Sequence, residues 1–456
     1  MNPTTTPGRN ARRFIVDLSD LYGFLSRRSG IAGIQRLLLR IASHRSAWTS
    51  EDPEREVVLA HWNPILEAYV EFPLDSGIAD YKALREERLF PRIDRFNREK
   101  YPAAPIARSV YRARRTLRRF YELELRGANT RKRLARLCRE VEFQPGDVLL
   151  SLGSSWDAHV QQALDCAQPH IEAGHVTPIF LIHDLIPFHT GTEIHTPDKV
   201  DRFMDAFHRS TSLASRFLVY SRATELDLRR KLDGLGRTDP QIARFALAHE
   251  FICEVDASDR TDQVPDRVLS RGRDRVLDRD YVLMVGPIRG RKNGNRLWAA
   301  WQRLAEKHGL AHVPDLVFAG SGRGRDLNPL PTGEFAGRVH FARFPSDAEL
   351  ASLYRNARFC VFPSLHEGWG LPIGEALWHR KLCLTSASSS MPEVSGRYAD
   401  YFDPRDVDSI TAALERPLFD PEYLAERERL IQTAPLRTWT ETTTDLFDAA
   451  HRLAST

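Results

Sequence analysis

The sequence predicts an α/β chain built on two parallel sheets, and three observations carry that expectation. Short apolar strands alternate with helical stretches between residues 13 and 232, and the same alternation starts again at residue 281. Several of the strands end on glycine or a polar residue just before a helical pattern begins. A highly charged run from Glu254 to Asp280, poor in apolar residues, separates the two sets and reads as a linker. Strands that are nearly continuous apolar runs are covered on both faces, as in parallel sheets joined by helices.

Residues 1–12 are polar, with Pro and Thr, and read as a disordered lead. They hold no apolar core of a signal peptide. The stretch Arg13-Phe-Ile-Val-Asp-Leu18 reads as a buried strand running into Ser29-Gly-Ile-Ala-Gly-Ile34, with a helical pattern from Gln35 to Ala42. Strand, glycine-bearing turn and helix open a Rossmann-like unit. Further strands are expected at Glu56–His61, Asp147–Leu152, Thr177–Ile182 and Arg216–Tyr220, with a helix from Ser221 to Leu232. Residues of about 80–140 differ from the rest. They are helical in composition and crowded with arginine, and they read as a basic helical insertion in the first domain.

The second set opens with the strand Tyr281–Gly286 and a helix from Asn293 to His308. Strands Leu316–Gly320 and Val339–Ala342 follow, then helix Asp347–Asn356, strand Phe359–Phe362, helix Leu371–His379 and strand Leu382–Thr385. Ligands of such sheets bind beyond the carboxyl ends of the strands, so two sets of ends facing one cleft are the expected site.

Bulk properties narrow the class. A chain of 456 residues holds two or three domains of ordinary size. Lys and Arg total 65 against 61 Asp and Glu, a balance that does not point to nucleic acid. Cys138, Cys166, Cys253, Cys360 and Cys383 are dispersed, with no CxxC pair. This argues against a zinc site and fits a reducing compartment. No stretch approaches the 18 or so apolar residues of a spanning helix. The expected location is the cytoplasm, with peripheral contact at the inner face of the membrane as a further placement.

The most informative segment is Pro363-Ser-Leu-His-Glu-Gly-Trp-Gly-Leu-Pro-Ile-Gly-Glu-Ala-Leu377, which follows a strand and opens a helix. Gly368 and Gly370 permit close backbone approach, and Pro372 suits a first helical turn. The amides from Gly368 to Ile373 are expected to be unpaired at a helix N-terminus, ready for an anion or sugar hydroxyls. Glu367 stands before that turn and Glu375 inside the helix. A second segment, Val285-Gly-Pro-Ile-Arg-Gly-Arg-Lys-Asn293, places Arg291 and Lys292 at a strand end. Two cations there would stabilise charge on a leaving diphosphate.

These segments resemble the Glu-x7-Glu signature and the Arg-Lys-Asn motif of retaining glycosyltransferases of family 4, which have the GT-B fold. The resemblance implies two Rossmann-like domains facing a central cleft. It implies a first, acceptor domain over 13–255, a linker over 256–280, a nucleotide-sugar-binding domain over 281–437, and a closing helix over 438–456 that crosses back to the first domain. By the same resemblance Glu367 lies by the donor sugar, Glu375 holds the nucleotide ribose, and Arg291 and Lys292 bind the diphosphate. Gly286, Gly320, Gly368, Trp369, Gly370 and Leu371 complete the donor site. Leu316-Val-Phe-Ala-Gly-Ser-Gly322 resembles the family's turn beside the nucleotide base. In the first domain, Ile182-His-Asp-Leu-Ile-Pro187 assigns His183 a place near the reacting sugar carbon, with Asp184 beside it. The loop carrying Gly30, Gly33 and Arg36 resembles a glycine loop that approaches the diphosphate or the acceptor, with Ala32 as one residue more than usual. The resemblance is absent from about Ile65 to Arg139.

The activity implied is retaining transfer of a hexose to a glycan or lipid-linked glycan in polysaccharide or lipopolysaccharide synthesis, with GDP-mannose or another hexose nucleotide as donor. The leaving diphosphate would take the acceptor's proton, with no covalent nucleophile. No cofactor is expected. No metal is expected either, because no DxD motif stands at a first-domain strand end; Asp406-Val-Asp408 has the spacing but reads as a helix cap. The arginine stretch 108–139, with aromatic residues interleaved, has a solvated surface and an anionic membrane surface as its leading readings. Nucleic acid is not an expected partner. The competing functions are a catalytically silent sugar-nucleotide-binding protein and a GT-B sugar-nucleotide epimerase.

Overall fold

The computed structural model describes residues 12–25, 33–50, 55–72, 135–136, 138–194, 196–237, 239–252 and 280–456. Gly30, Cys253, the basic insertion before residue 135 and the linker before Asp280 lie outside the described residues.

The first sheet contains β1 (Arg13–Asp17), β2 (Glu56–Asn63), β3 (Ala68–Glu71), β4 (Asp147–Ser151), β5 (Val176–Leu181), β6 (Arg216–Val219) and β7 (Gln241–Arg244). Their order is β3-β2-β1-β4-β5-β6-β7. Among the described strands of this sheet, only β3 runs antiparallel, against β2. The second sheet contains β8 (Tyr281–Val285), β9 (Asp315–Gly320), β10 (Val339–Arg343), β11 (Phe359–Phe362), β12 (Cys383–Ser386) and β13 (Ala399–Phe402). Its order is β10-β9-β8-β11-β12-β13, and every pair is parallel. That is the doubly wound order in which the chain reverses direction at the β8/β11 boundary, and a crevice opens at such a switch point. The first sheet has the same reversal between β1 and β4.

Local chemistry explains the helices that frame the second crevice. Ser346 and Glu349 form a reciprocal capping box at the start of helix Asp347–Asn356. Asp406 caps helix Val407–Phe419 by accepting from the Asp408 amide at 2.9 Å, so the Asp406-Val-Asp408 spacing is a cap. Thr438 and Glu441 form a second box at the start of helix Trp439–Ser455. That last helix lies against the first sheet. Phe447 stacks on Trp48 with centroids 5.1 Å apart, and Trp48 Nε1 donates to Asp448 at 2.8 Å. A continuous apolar cluster runs from Phe14 on β1 through Tyr220 and Phe251 to Tyr354 and Trp369, so the two sheets share a packed floor.

The elements beyond those expected include one helix and three strands in the sheets. Helix Ser19–Leu25 follows β1 directly, ahead of the glycine loop. Strands β3, β7 and β13 are each four residues long and carry polar residues, so no apolar run announces them.

Candidate active site

Two turns meet at the β8/β11 switch point. After β8, Gly286 (φ +127) turns the chain, and Gly320 at the end of β9 (φ +151) lies against it. A Cβ on Gly320 would stand 2.6 Å from the Gly286 carbonyl oxygen, so glycine is required there. The turn ends at Asn293, whose left-handed backbone (φ +61) aims its side chain across the crevice. Asn293 Nδ2 donates to the carbonyls of Pro363 at 2.9 Å and Pro404 at 2.7 Å, and the Leu365 amide donates to the Arg291 carbonyl at 2.7 Å. The turn after β8 is thereby fastened to the turn after β11.

The turn after β11 has no regular structure of its own, so its carbonyls need partners elsewhere. A run of serines after β12 supplies them. Ser386 donates to Ser364 at 2.6 Å, Ser388 to Leu365 at 3.0 Å, Ser389 to Glu367 at 2.7 Å, and Ser390 to Glu367 and Trp369 at 2.8 and 2.9 Å. These hydroxyls fix the loop that carries Glu367. Helix Leu371–Trp378 follows, with Pro372 in its first turn and Gly370 at φ +109 before it. One expectation is corrected here: the Ile373 amide is not free for a ligand, since it donates to the Gly370 carbonyl at 2.9 Å.

The fastened turns bring the predicted charges together. Glu367 is buried, at 6% exposure, which removes the reading of a surface glutamate. Its Oε1 lies 2.7 Å from Lys292 Nζ, and its Oε2 accepts from Arg291 Nη1. Arg291 Nη1 also donates to the His366 carbonyl at 3.0 Å. Burial alone would raise the Glu367 carboxyl, but Arg291 and Lys292 outweigh it and hold the carboxyl down at about 2. Burial lowers Lys292, against the opposing pull of Glu367. Lys292 lies over Gly286, where a Cβ would stand 3.4 Å from its Cε. Two cations thus share one buried carboxylate.

The first domain closes over this cluster. A Cβ on Gly368 would stand 2.4 Å from the His183 carbonyl oxygen and 3.1 Å from Asp184 Cβ. Trp369 packs edge-on against Tyr220, centroids 6.3 Å apart. Burial raises the Asp184 carboxyl, and Arg291 opposes that shift, so Asp184 shares the field of the second-domain cluster. The His183 ring is 3% exposed. Its Nε2 lies 3.0 Å from the Leu152 carbonyl, and Tyr220 OH lies 3.4 Å from its Nδ1. Burial lowers its pKa to about 4, so it is neutral at pH 7. Both ring nitrogens thus lie against protein groups. Gly368→Ala is expected to lower the melting temperature, at a cost of about 1–3 kcal/mol for overpacking. Scanning calorimetry measures this, and an unchanged melting temperature would contradict the close approach.

Glu375 and Arg36 take positions that sequence spacing did not suggest. Glu375 Oε1 accepts from Arg36 Nη1 at 2.9 Å, and its Oε2 accepts from Tyr354 OH at 2.9 Å. Arg36 Nη2 reaches Asp347 at 2.8 Å. Arg36 therefore lies on two second-domain carboxylates, one of which, Glu375, also acts on Lys292. At Gly33 a Cβ would meet no protein atom within 4 Å. Sequence reasoning left Glu393 without chemistry. It accepts from the amides of Arg222 at 2.6 Å and Ala223 at 2.9 Å, so a second-domain carboxylate caps a first-domain helix. Tyr220 and Tyr354 were also missed. Tyr220 stands just past the end of β6 and Tyr354 within helix Asp347–Asn356, and neither residue type announces a contact across the crevice. No cluster of metal-ligating side chains occurs among the described residues, and no described helix is long and apolar enough to cross a membrane.

Comparison with known proteins bears on the family and the fold. Residues 269–437 match the family Glycosyl transferases group 1. The chain is 28% identical over 273 residues to O-antigen chain mannosyltransferase B of Escherichia coli, a match covering 59% of this chain and 68% of that protein. It is 31% identical over 170 residues to the serotype-specific mannosyltransferase WbdA of Escherichia coli, covering 36% of this chain and only 21% of the relative. Among solved structures it is similar to WaaG, a glycosyltransferase involved in lipopolysaccharide biosynthesis, with a TM-score of 0.53 at 15% identity over 95% of this chain and 99% of that one. Sucrose-phosphate synthase from Thermosynechococcus elongatus gives the same score and identity over 97% and 99%. At that identity the structural likeness speaks for the fold, while the sequence matches speak for the family. The chain carries a glycosyl transferases group 1 domain over residues 269–437 and is a glycosyltransferase of the GT-B fold.

Proposed function

We propose that the protein transfers a hexose, mannose first among them, from a nucleotide-diphosphate sugar to a glycan or lipid-linked glycan during polysaccharide or lipopolysaccharide assembly, with retention of anomeric configuration. The observation that carries this reading is the 2.7 Å approach of Lys292 to Glu367, with Arg291 on the other carboxylate oxygen, at the switch point of the second sheet. The cations offer a diphosphate oxygen two charge-assisted donors, and the carboxylate offers sugar hydroxyls an acceptor. The names of the relatives support mannose and O-antigen chemistry.

The electrostatics favour a front-face route. A carboxyl held at about 2 is a weak base, so Glu367 is poorly matched to take the acceptor's proton near neutrality. Paired with two cations, it is an equally poor nucleophile. The departing diphosphate oxygen is then the stronger base on the acceptor side, and Arg291 and Lys292 stabilise the charge it gains. Glu367 and the groups around His183 face the electron-poor sugar carbon. The step needs no metal.

The test is incubation of purified protein with GDP-, UDP-, ADP- and dTDP-hexoses in excess chelator, with the product anomer read by proton NMR. The expected result is transfer or slow hydrolysis of one sugar nucleotide with its configuration retained. Inversion would contradict retention, complete loss on chelation would contradict the metal-free route, and epimerisation without transfer would favour the epimerase.

A further inference from the structure

Glu375 is a buried carboxylate, 6% exposed, in the middle of the helix at the switch point. Both of its oxygens are engaged: Tyr354 OH holds Oε2, and Arg36, from a helix of the other domain, holds Oε1 at 2.9 Å. The Arg36 guanidinium is itself divided, because its other nitrogen holds Asp347 at 2.8 Å. The two carboxylates differ in setting. The Glu375 side chain is 7% exposed and the Asp347 side chain 33% exposed. Arg36 thus spans one buried partner and one partner at the water's edge, with Phe251 5.7 Å from its Cζ as a flat wall.

We propose that Arg36 is a built-in competitor for the donor's ribose: its hold on Glu375 and the ribose's exclude each other, and the guanidinium withdraws onto Asp347 when a nucleotide enters. This rests on the reading of Glu375 as the carboxylate that receives the ribose. A ribose diol donates hydrogen bonds to a carboxylate, and it needs the oxygen that Arg36 now fills. Glu375 has little other free surface, so the guanidinium and the diol exclude each other at Oε1. Asp347 gives the guanidinium a second seat within the same fork. The nucleotide therefore displaces one hydrogen bond and leaves Arg36 paired. The contact to Asp347 still crosses the cleft, so the domains stay bridged during the exchange.

The competition has a sign that a purely structural role or a direct phosphate contact lacks. Removing the guanidinium frees Glu375 for the diol, so Arg36→Gln is expected to bind GDP or UDP about tenfold more tightly, the ratio that ~1.4 kcal/mol corresponds to. Removing the second seat drives Arg36 wholly onto Glu375, so Asp347→Asn, a half-exposed change that spares the core, is expected to bind severalfold more weakly. The gain in Arg36→Gln should vanish with 2′,3′-dideoxy nucleoside diphosphates. Isothermal titration calorimetry of wild type and both variants with these nucleotides decides it. Weaker or unchanged binding by Arg36→Gln, an equal gain with the dideoxy compounds, or tighter binding by Asp347→Asn would each overturn the competitor. If neither GDP nor UDP binds the wild type, the donor reading fails and the competitor falls with it.

Discussion

Replacement of Lys292 by alanine is expected to slow hexosyl transfer by about ten- to a hundredfold while the chain still folds. A charge-assisted hydrogen bond is worth roughly 1.5–3 kcal/mol, and each ~1.4 kcal/mol of lost transition-state stabilisation is tenfold in rate. The loss should fall mainly on kcat, because charge on the leaving diphosphate grows as the glycosidic bond breaks. Folding is spared because Arg291 still pairs with Glu367 when the ammonium is gone. The converse change, Glu367→Ala, would leave two buried cations without their carboxylate and mix a folding defect into the measurement. Steady-state kinetics on the preferred sugar nucleotide check the prediction, and an unchanged kcat would contradict it.

The second large effect concerns pH. His61 lies 4% exposed, stacked on Tyr22 at 4.2 Å, and burial lowers its pKa to about 3. His183 is lowered to about 4 for the same reason. In the unfolded chain each titrates near 6.5, so between that value and its folded value the unfolded chain holds more protons. Stability then falls as pH drops, by about 2 kcal/mol per histidine between pH 7 and pH 5. Asp17 acts in the opposite direction. Burial raises its carboxyl to about 7 against the Ser19 hydrogen bonds, so the folded protein holds the extra proton between 3.8 and 7, and stability rises as pH drops through that window, by about 2 kcal/mol between pH 7 and pH 5. Two substitutions separate the effects. His61→Asn should shrink the loss of stability between pH 7 and pH 5 by about 2 kcal/mol, and Asp17→Asn should enlarge it by a similar amount. Urea unfolding at the two pH values measures both, and an identical pH dependence in wild type and variants would contradict the assignment. The comparison is of slopes, so a uniform destabilisation by either substitution does not affect it.

Much of the fold is legible because its signals are local. Ser346 followed by Glu349 announces helix Asp347–Asn356 by itself, and the apolar run Tyr281–Val285 can be read as a buried strand without knowledge of its neighbours. The strand Ala68-Tyr-Val-Glu71 cannot, because its identity comes from pairing with β2 and from Glu140 bridging to Val70. Helix Ser19–Leu25 stands where the sequence reads as a strand running straight into the glycine-bearing turn at Ser29. In fact Asp20 is buried and held by Gln35 at 2.8 Å and the Ser154 amide at 2.8 Å.

The site divides along the same line. Glu367, Arg291 and Lys292 stand in short motifs whose residue types declare a charged cluster. Their partners do not. The serines that hold the Glu367 loop look like ordinary loop residues until the carbonyls they serve are known. Arg36 and Glu375 are 339 residues apart, and nothing in either segment names the other. Asn293 reads as the end of a basic motif, yet it is the fastener of two turns. Contacts made across a cleft are set by the placement of two sheets, which no window of sequence contains.

The central claim is that Lys292 and Arg291, poised on Glu367, receive the diphosphate of a sugar donor. Calorimetric titration of wild type and Lys292→Ala with a nucleoside diphosphate and with the matching free nucleoside tests it most directly. The account predicts that the variant loses at least about tenfold in affinity for the diphosphate, the equivalent of ~1.4 kcal/mol, and binds the nucleoside as wild type does. Equal affinity of wild type and variant for the diphosphate would contradict it.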